Sequence, residues 1–421
     1  MRKRHVAAVG IVSLLLAATA LSPAHAIVDQ LPQPGQGVRL LGYDKGMLEA
    51  LAKHRGVSVQ AAAARLDAQA GAVAALEKLR AGTSDVDGSY FVEADNKLRV
   101  NVSKQATADQ ARAAGLVPRF VVRGESDLNA LAHTVAVAAE SARVMELREA
   151  TLDLPNQAVV VSLTASSRAR SFGARIARMP GVEVRYTPVE LRKDVPAATQ
   201  IGGNGMEISY DGVNGNAICT QGFSGLRQGS LVMLTVGHCF YGTGDYAYSG
   251  PPSTSTYLGR VIGNGFREMA PASAPAPDVA LVQLTASAGA YSSINTHVAE
   301  GYRPMASMAA PSTGMDVCKS GTRSGWSCGE VGQLKPFIEW FDANGESAGY
   351  AGPLWRADMC VIGGDSGGVV VNGNFAIGMI SSSKTNNCPL NSAWTHRVYD
   401  QTSFTALNKV LSSYPGTTTN F

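Results

Sequence analysis

Three short segments carry side chains whose types fit one reaction. Leu234-Thr235-Val236-Gly237-His238-Cys239 presents an imidazole, and Pro277-Asp278-Val279-Ala280-Leu281-Val282 presents a carboxylate at the mouth of an apolar run. Gly363-Gly364-Asp365-Ser366-Gly367-Gly368 presents a hydroxyl inside a glycine-rich turn. A serine hydroxyl attacks a carbonyl only when a base removes its proton, and a histidine titrating near neutrality can do so. A buried carboxylate then fixes the imidazole tautomer and stabilises the imidazolium. The developing oxyanion needs backbone N–H donors, and glycines around the serine let the chain turn and leave such groups uncovered. On this pattern His238, Asp278 and Ser366 are the candidate catalytic residues, and the N–H groups of Gly364 and Ser366 the candidate oxyanion donors. His297 and His396 lack a comparable setting. Asp316, Asp342 and Asp358 are the other acids within reach of the argument, but only Asp278 opens an apolar strand at a matching distance.

The order His, Asp, Ser is that of chymotrypsin-like enzymes, not of subtilisins or α/β-hydrolases. Residues 199–421 resemble the chymotrypsin-like serine peptidases, and more closely the bacterial streptogrisin and α-lytic protease group. Cys239 directly follows His238, as in that group's T-[AV]-G-H-C segment, and Cys219 lies upstream to pair with it. The stretch Cys318 to Cys328 resembles the group's small disulfide loop, and Cys360 stands six residues before Ser366. The resemblance implies an all-β catalytic domain of two six-stranded antiparallel β-barrels with the active site between them. It also implies an α+β propeptide that assists folding and inhibits until removed. The match there is by pattern, Tyr90 to Val102 above all.

The resemblance assigns further roles. The carboxylate before the nucleophile, Asp365, is expected in a buried structural ion pair. Its partner is Lys319, as in the bacterial branch, or a freed N-terminal Ile201, since Ile201-Gly202-Gly203 faintly resembles the start of the animal enzymes. Lysine lacks the bidentate geometry of the more familiar arginine. Ser381 matches the serine whose backbone pairs with substrate. Ser382 and Ser383 stand where small-pocket glycines are usual, so Ser383 is expected to narrow the primary pocket. A medium or large apolar residue before the scissile bond is the leading expectation, with a trypsin-like pocket built on Asp358 as the alternative.

The elements that must position these residues follow from pattern. Arg2, Lys3 and Arg4, the apolar run Val6 to Leu21 and Ala24-His25-Ala26 read as a secretory signal peptide cleaved after Ala26. The apolar run is shorter than the roughly 20 residues a membrane span needs, so an exported, extracellular protein without a membrane anchor is expected. Residues 27–37 read as a linker. Alanine-rich helical periodicity runs from Leu40 to about Leu79, with Gly82 as a C-cap. Tyr90 to Val92 and Leu98 to Val102 read as a hairpin, Ser126 as the N-cap of a helix reaching about Glu149, and Val159 to Leu163 as a strand. Ser166 to Met179 is amphipathic and Val182 to Tyr186 alternates like a strand. After 192–203 the composition changes to short β runs separated by Gly, Ser and Asn, with a terminal helix over Thr402 to Leu411. The boundary is set at 198, giving 1–26 signal, 27–198 propeptide and 199–421 peptidase.

All six cysteines lie beyond that boundary. In an exported chain this implies disulfides, and about 15 pairings are open in principle. Sequence neighbours give the simplest set: Cys219–Cys239, Cys318–Cys328 and Cys360–Cys388. The spacings are not C-x-x-C pairs and histidine is scarce, so neither zinc nor another metal or cofactor is expected. A formal net charge of +3 over 421 residues, with no long basic run, points away from nucleic acid and anionic membranes. The expected partners are protein or peptide substrates and the chain's own propeptide, with the enzyme a monomer. Two rivals are a catalytically silent binding homologue, which loss of a triad residue would favour, and a secreted esterase, for which the strand–G-x-S-x-G–helix setting is lacking.

Overall fold

The structure is a computed structural model that describes residues 39–187, 205–210, 213–249, 256–285, 293–295, 302–341, 346–384, 388 and 402–421. The expected signal peptide, the 27–37 linker and the boundary at 198 lie outside the described residues, as do Ile201, His297, Asp342 and His396.

The N-terminal half alternates helices with short strands: α1 (Lys45–Arg55), α2 (Val59–Gly82), β1 (Ser89–Val92), β2 (Lys97–Val102), α3 (Gln105–Ala113), β3 (Val117–Phe120), α4 (Glu125–Ser141), β4 (Leu147–Asp153), β5 (Ala158–Thr164), α5 (Ser167–Ile176) and β6 (Val182–Thr187). The long alanine-rich stretch is two helices, not one. Gly56 ends α1 in the left-handed region, and Ser58 caps α2 by accepting from the Ala61 N–H. The α2 helix runs through Gly82, so the cap is Thr83. The Tyr90–Val102 hairpin is present as β1 and β2.

Two further expectations fail in this half. Ser126 is not the N-cap of α4; Gly124 is, and the Ser126 N–H and hydroxyl are taken instead by the Asp87 carboxylate. The helix stops at Ser141, because Leu147 to Asp153 leaves it to pair with β5. Tertiary pairing there overrides local helix propensity.

The C-terminal half is β throughout: β7 (Gly205–Tyr210), β8 (Val213–Thr220), β9 (Phe223–Arg227), β10 (Ser230–Thr235), β11 (Tyr246–Ser249), β12 (Thr256–Asn264), β13 (Ala280–Leu284), β14 (Asp316–Gly321), β15 (Gly325–Lys335), β16 (Phe337–Phe341), β17 (Ser347–Ala351), β18 (Leu354–Ala357), β19 (Val369–Asn372), β20 (Phe375–Ser383) and β21 (Thr402–Ala406), ending in α6 (Leu407–Ser413) and β22 (Thr417–Thr419). Here too one expectation is corrected. Thr402 to Ala406 is a strand, and the terminal helix starts only at Leu407. Strand β21 pairs with β18 on one side and β20 on the other, and this double pairing closes a ring.

That ring, β20-β19-β14-β15-β18-β21 and back to β20, is a closed six-stranded antiparallel barrel. The other sheet has eight strands in the order β8-β7-β11-β12-β13-β10-β9-β22, with no closing pair among the described residues. Its central strands are apolar and buried, Val232 to Leu234 on β10 and Ala280 to Val282 on β13. They are short continuous runs of the kind buried on both faces. No helix among the described residues is long and apolar enough to cross a membrane.

The two halves share a sheet. Strands β6-β5-β4 of the N-terminal half continue into the β16–β17 hairpin, with Ala150 opposite Phe337 and Glu149 opposite Ile338. A proline at Ala150 would remove a ladder donor beside that junction. Ala150→Pro in the full chain is expected to speed amide exchange over Phe337–Phe341 by about tenfold or more. Exchange in the closed barrel should stay unchanged, and mass-resolved hydrogen exchange reads both regions at once.

Candidate active site

His238 sits in a single tight turn, Gly237–Cys239, at the end of β10. The disulfide Cys219–Cys239 ties this turn to β8. Asn264 holds it from β12, donating to the carbonyls of Gly237 and Phe240, both at 3.1 Å. Asp278 lies two residues before β13, the strand beside β10, so pairing brings carboxylate and imidazole together.

The carboxylate of Asp278 is fully buried and collects donors. Its Oδ1 accepts the His238 backbone N–H at 2.9 Å. Its Oδ2 faces His238 Nδ1 at 2.9 Å and accepts the Ser381 hydroxyl at 2.5 Å. Burial alone would push this carboxyl up; the charge and hydrogen bonds of His238, with the Ser381 hydroxyl, overcome burial and hold it below its usual range. An ionised Asp278 accepts only, so Nδ1 must carry the proton. The lone pair of Nε2 is then left facing Ser366 Oγ, 2.9 Å away.

Ser366 lies in a turn that only glycines allow. Gly364 and Gly367 have φ of +94° and +84°, and a Cβ on Gly367 would collide with the Thr220 carbonyl. Thr220 also fixes the turn to the other sheet: its N–H donates to Ser366 O at 2.6 Å and its hydroxyl to Gly364 O at 2.8 Å. The N–H groups of Gly364 and Ser366 donate to no protein acceptor among the described residues.

Asp365 points away from the nucleophile into a fully buried nest. Its Oδ1 accepts the N–H groups of Arg323 at 2.9 Å and Ser324 at 3.0 Å. Its Oδ2 accepts Ile362 N–H at 3.1 Å, Lys319 Nζ at 3.2 Å and the Ser324 hydroxyl. Of the two expected partners, Lys319 is in place, and Ile201 is outside the described residues. Burial would raise the Asp365 carboxyl, and Lys319 with these donors brings it below its usual range. Burial acts on Lys319 in the opposite sense to its partner's attraction and lowers its ammonium. The carboxylate's direction fits the geometry better, since donors surround both of its oxygens. Lys319 in turn has the Gly325 carbonyl at 2.9 Å and the Ser324 hydroxyl as further acceptors.

The cysteines pair as neighbours: Cys219–Cys239, Cys318–Cys328 and Cys360–Cys388. Ser381 and Ser383 are both buried on β20. The Ser381 carbonyl stands 3.5 Å from Ser366 Oγ, so this strand runs beside the nucleophile. Asp358 is seated elsewhere, with its carboxylate 3.6 Å from His54 Nε2 of the N-terminal half. Asp316 is likewise engaged by that half, through Arg55 and Arg65.

Sequence reasoning missed three contributors. The Ser381 hydroxyl is a further donor to Asp278, where only its backbone was expected to matter. Trp340 packs on His238 with ring centroids 4.9 Å apart, and Phe266 packs on Trp340 at 5.1 Å. Phe337 to Phe341 is a short run rich in aromatic and β-branched residues, which was a usable strand signal for the first of these aromatics. Nothing in the sequence says that the strand would reach the histidine.

Comparison with known proteins places similarity in both halves. The model of the α-lytic protease pro N-terminal domain matches residues 60–121. The chain is 27% identical over 308 residues to Serine protease 1 of Streptomyces fradiae, spanning 71% of this chain and 76% of that protein. It is 26% identical over 302 residues to Streptogrisin-D of Streptomyces griseus, spanning 71% and 69%. Among solved structures, Thermobifida fusca protease A is 28% identical, covering 51% of this chain and 95% of its own, with a TM-score of 0.39. The pro-domain match and the length of the alignments to the two curated relatives extend the resemblance to the streptogrisin and α-lytic protease group from the pro region into the β half.

Lys319→Met would leave Asp365 buried without its cation. The expected cost is about 3–5 kcal/mol of stability at neutral pH. An aspartate held low when folded contributes stability above about pH 4, and loses it as pH falls through the folded value. The deficit of the variant should therefore shrink below about pH 4, where a neutral carboxyl no longer needs the lysine. Thermal melts of both proteins across pH check the size and the sign.

Proposed function

We propose that this chain is a secreted serine endopeptidase made as a zymogen, with 1–26 as signal peptide, 27–198 as propeptide and 199–421 as a chymotrypsin-like catalytic domain of two β-barrels. The reading is supported most by the unbroken run of contacts from Asp278 through His238 to Ser366. The curated relatives named serine protease and streptogrisin, and the matched pro-domain model, support it independently.

The chemistry follows from the geometry. As Ser366 Oγ attacks the peptide carbonyl, its proton passes to His238 Nε2. Asp278 holds the imidazolium by its Nδ1–H, and stays ionised because its donors keep it so. The oxyanion enters the free N–H groups of Gly364 and Ser366, whose positions the glycines flanking the serine fix in advance. His238 then gives the proton to the departing amine, leaving an acyl ester on Ser366. Water, activated by the same imidazole, releases the acid. Substrate lies along β20 beside Ser381, with Ser383 narrowing the pocket for an apolar residue before the cut. No step calls for a metal or cofactor.

The N-terminal half is read as a folding assistant. A glycine-rich pair of sheets built from non-local pairings has a high folding barrier. A partner that extends a sheet and packs on the barrel lowers it. Once removed, it leaves a slowly unfolding enzyme.

Ser366→Ala is expected to lower turnover of a peptide library by about 10⁴-fold or more and to leave the pro-form uncut. Processing of the variant in a host without other extracellular proteases would show that maturation is not self-performed. Denatured 199–421 should regain little active enzyme alone, and far more when 27–198 is added. Active-site titration after refolding measures this, and equal yields would rule out the assistant role.

A further inference from the structure

One aromatic side chain that the proposed reaction does not use packs beside the His238 imidazole. Trp340 is 1% exposed, tilted 57° to the imidazole at a centroid separation of 4.9 Å. Phe266 stands behind it, 5.1 Å from the indole and 6.3 Å from the imidazole. Among the described residues the indole N–H has no hydrogen-bond partner. A buried indole N–H is usually satisfied, so a hydrogen bond does not explain the residue, and its ring does.

The ring is held by a hairpin that reaches both the N-terminal half and the segment leading into Asp278. Strand β16 alternates. Phe337, Glu339 and Phe341 share one face, and Ile338 and Trp340 the other. The first face meets the N-terminal half, where Arg148 pairs with Glu339 and lies over the Phe341 ring. The second packs with Ala351, Leu354 and Phe266. The far edge of the hairpin, β17, is bonded to the segment leading into Asp278: Tyr350 N–H donates to Ala270 O at 2.8 Å, and Ala276 N–H to Tyr350 O at 2.9 Å. One hairpin therefore braces the imidazole from the side and the approach to its carboxylate from behind.

We propose that Trp340 is a positioning residue for His238. The inference rests on the reading of His238 as general base. When the Ser366 proton moves to Nε2, positive charge develops on a ring whose centroid lies 4.9 Å from that of the indole, the two planes tilted by 57°. An aromatic face attracts such a charge, and most strongly where water is excluded. The interaction strengthens only as the imidazolium forms, so it raises turnover and leaves substrate affinity alone. The same contact confines the ring between Asp278 and Ser366, which protects the alignment on which proton transfer depends.

The test compares two apolar replacements of similar bulk in the processed enzyme, Trp340→Phe and Trp340→Leu. Rates are expressed per site reactive toward a serine-directed fluorophosphonate. Trp340→Phe keeps an aromatic face and should keep kcat within about threefold. Trp340→Leu should lose kcat on the order of tenfold at unchanged KM. A Leu variant with wild-type kcat, a loss confined to KM in both variants, or a Phe variant as slow as Leu would each overturn the proposal. The last two would mark Trp340 as a substrate wall or a hydrogen-bond donor. A wild-type enzyme that the fluorophosphonate does not label would instead overturn the triad reading, and this inference with it.

Discussion

The carboxylate of Asp278 is out of reach of water, and the active site is arranged around keeping it charged. An unpaired buried ion costs several kcal/mol, whereas each hydrogen bond to a charged group returns about 1.5–3 kcal/mol. One donor is not enough, and the three that Asp278 receives come from different places: two from the His238 turn and one from Ser381 on β20. A fourth contact ties its backbone, where the Thr405 hydroxyl donates to Asp278 O at 2.9 Å. His238 belongs to the eight-stranded sheet, and Ser381 and Thr405 to the closed barrel. The ion is tolerable only when both β units have formed and met. The catalytic geometry is therefore a property of their junction, and neither unit alone can hold it.

Ser366 is governed by the same logic from the opposite side. Its neighbour Asp365 is buried among the donors of the Cys318–Cys328 loop, with Lys319 as counter-ion. That anchorage pulls the chain after Gly363 into a conformation needing positive φ at Gly364 and Gly367. Thr220 then clips the turn to the first sheet. Two buried carboxylates thus flank Ser366, one holding His238 and the other shaping the turn. Each is costly alone, and each is satisfied by residues far away in sequence. Such sites favour a single arrangement over near alternatives, because any slip leaves a buried charge exposed to its full desolvation cost.

Much of this was legible in the chain. G-D-S-G-G, the His-Cys pair and an aspartate opening an apolar strand stand out through local chemistry, the structure brings the three side chains together, and neighbouring cysteines do pair. Lys319 was legible through its place beside Cys318. What sequence could not give depends on contacts between distant segments. Thr402 to Ala406 looks helical next to Leu407, but the ring needs a closing strand between β18 and β20. The helix from Glu125 stops early because β5 offers Leu147 to Asp153 a better partner than another helical turn. Ser381 gives no sign that its hydroxyl is spent on Asp278, and Trp340 looks like any aromatic on an alternating strand. Asp358 and Asp316 could be read as pocket or triad candidates only while the N-terminal half was out of view.

The surface between the halves shows why those two acids looked functional. Arg55 serves both Asp316 and Glu330, Arg65 also reaches Asp316, and Gln69 Nε2 donates to it at 3.1 Å. Burial would lower the Arg55 guanidinium, but the two carboxylates raise it. Elsewhere on the same interface the polarity reverses. Glu149 of β4 lies 3.1 Å from Lys335 and 3.4 Å from Arg356 of the barrel, and these cations hold its carboxyl well below the usual range against the effect of burial. Buried ion pairs contribute little net affinity but penalise every misplacement. A strand laid on an edge, as β4 lies on β16, can slip by two residues and keep its faces. On β4 the two signs sit side by side, Arg148 against Glu339 and Glu149 against Lys335 and Arg356, and a shifted strand would lose both matches. The backbone pairing supplies attachment, and the paired charges select the register in which Glu149 lies opposite Ile338.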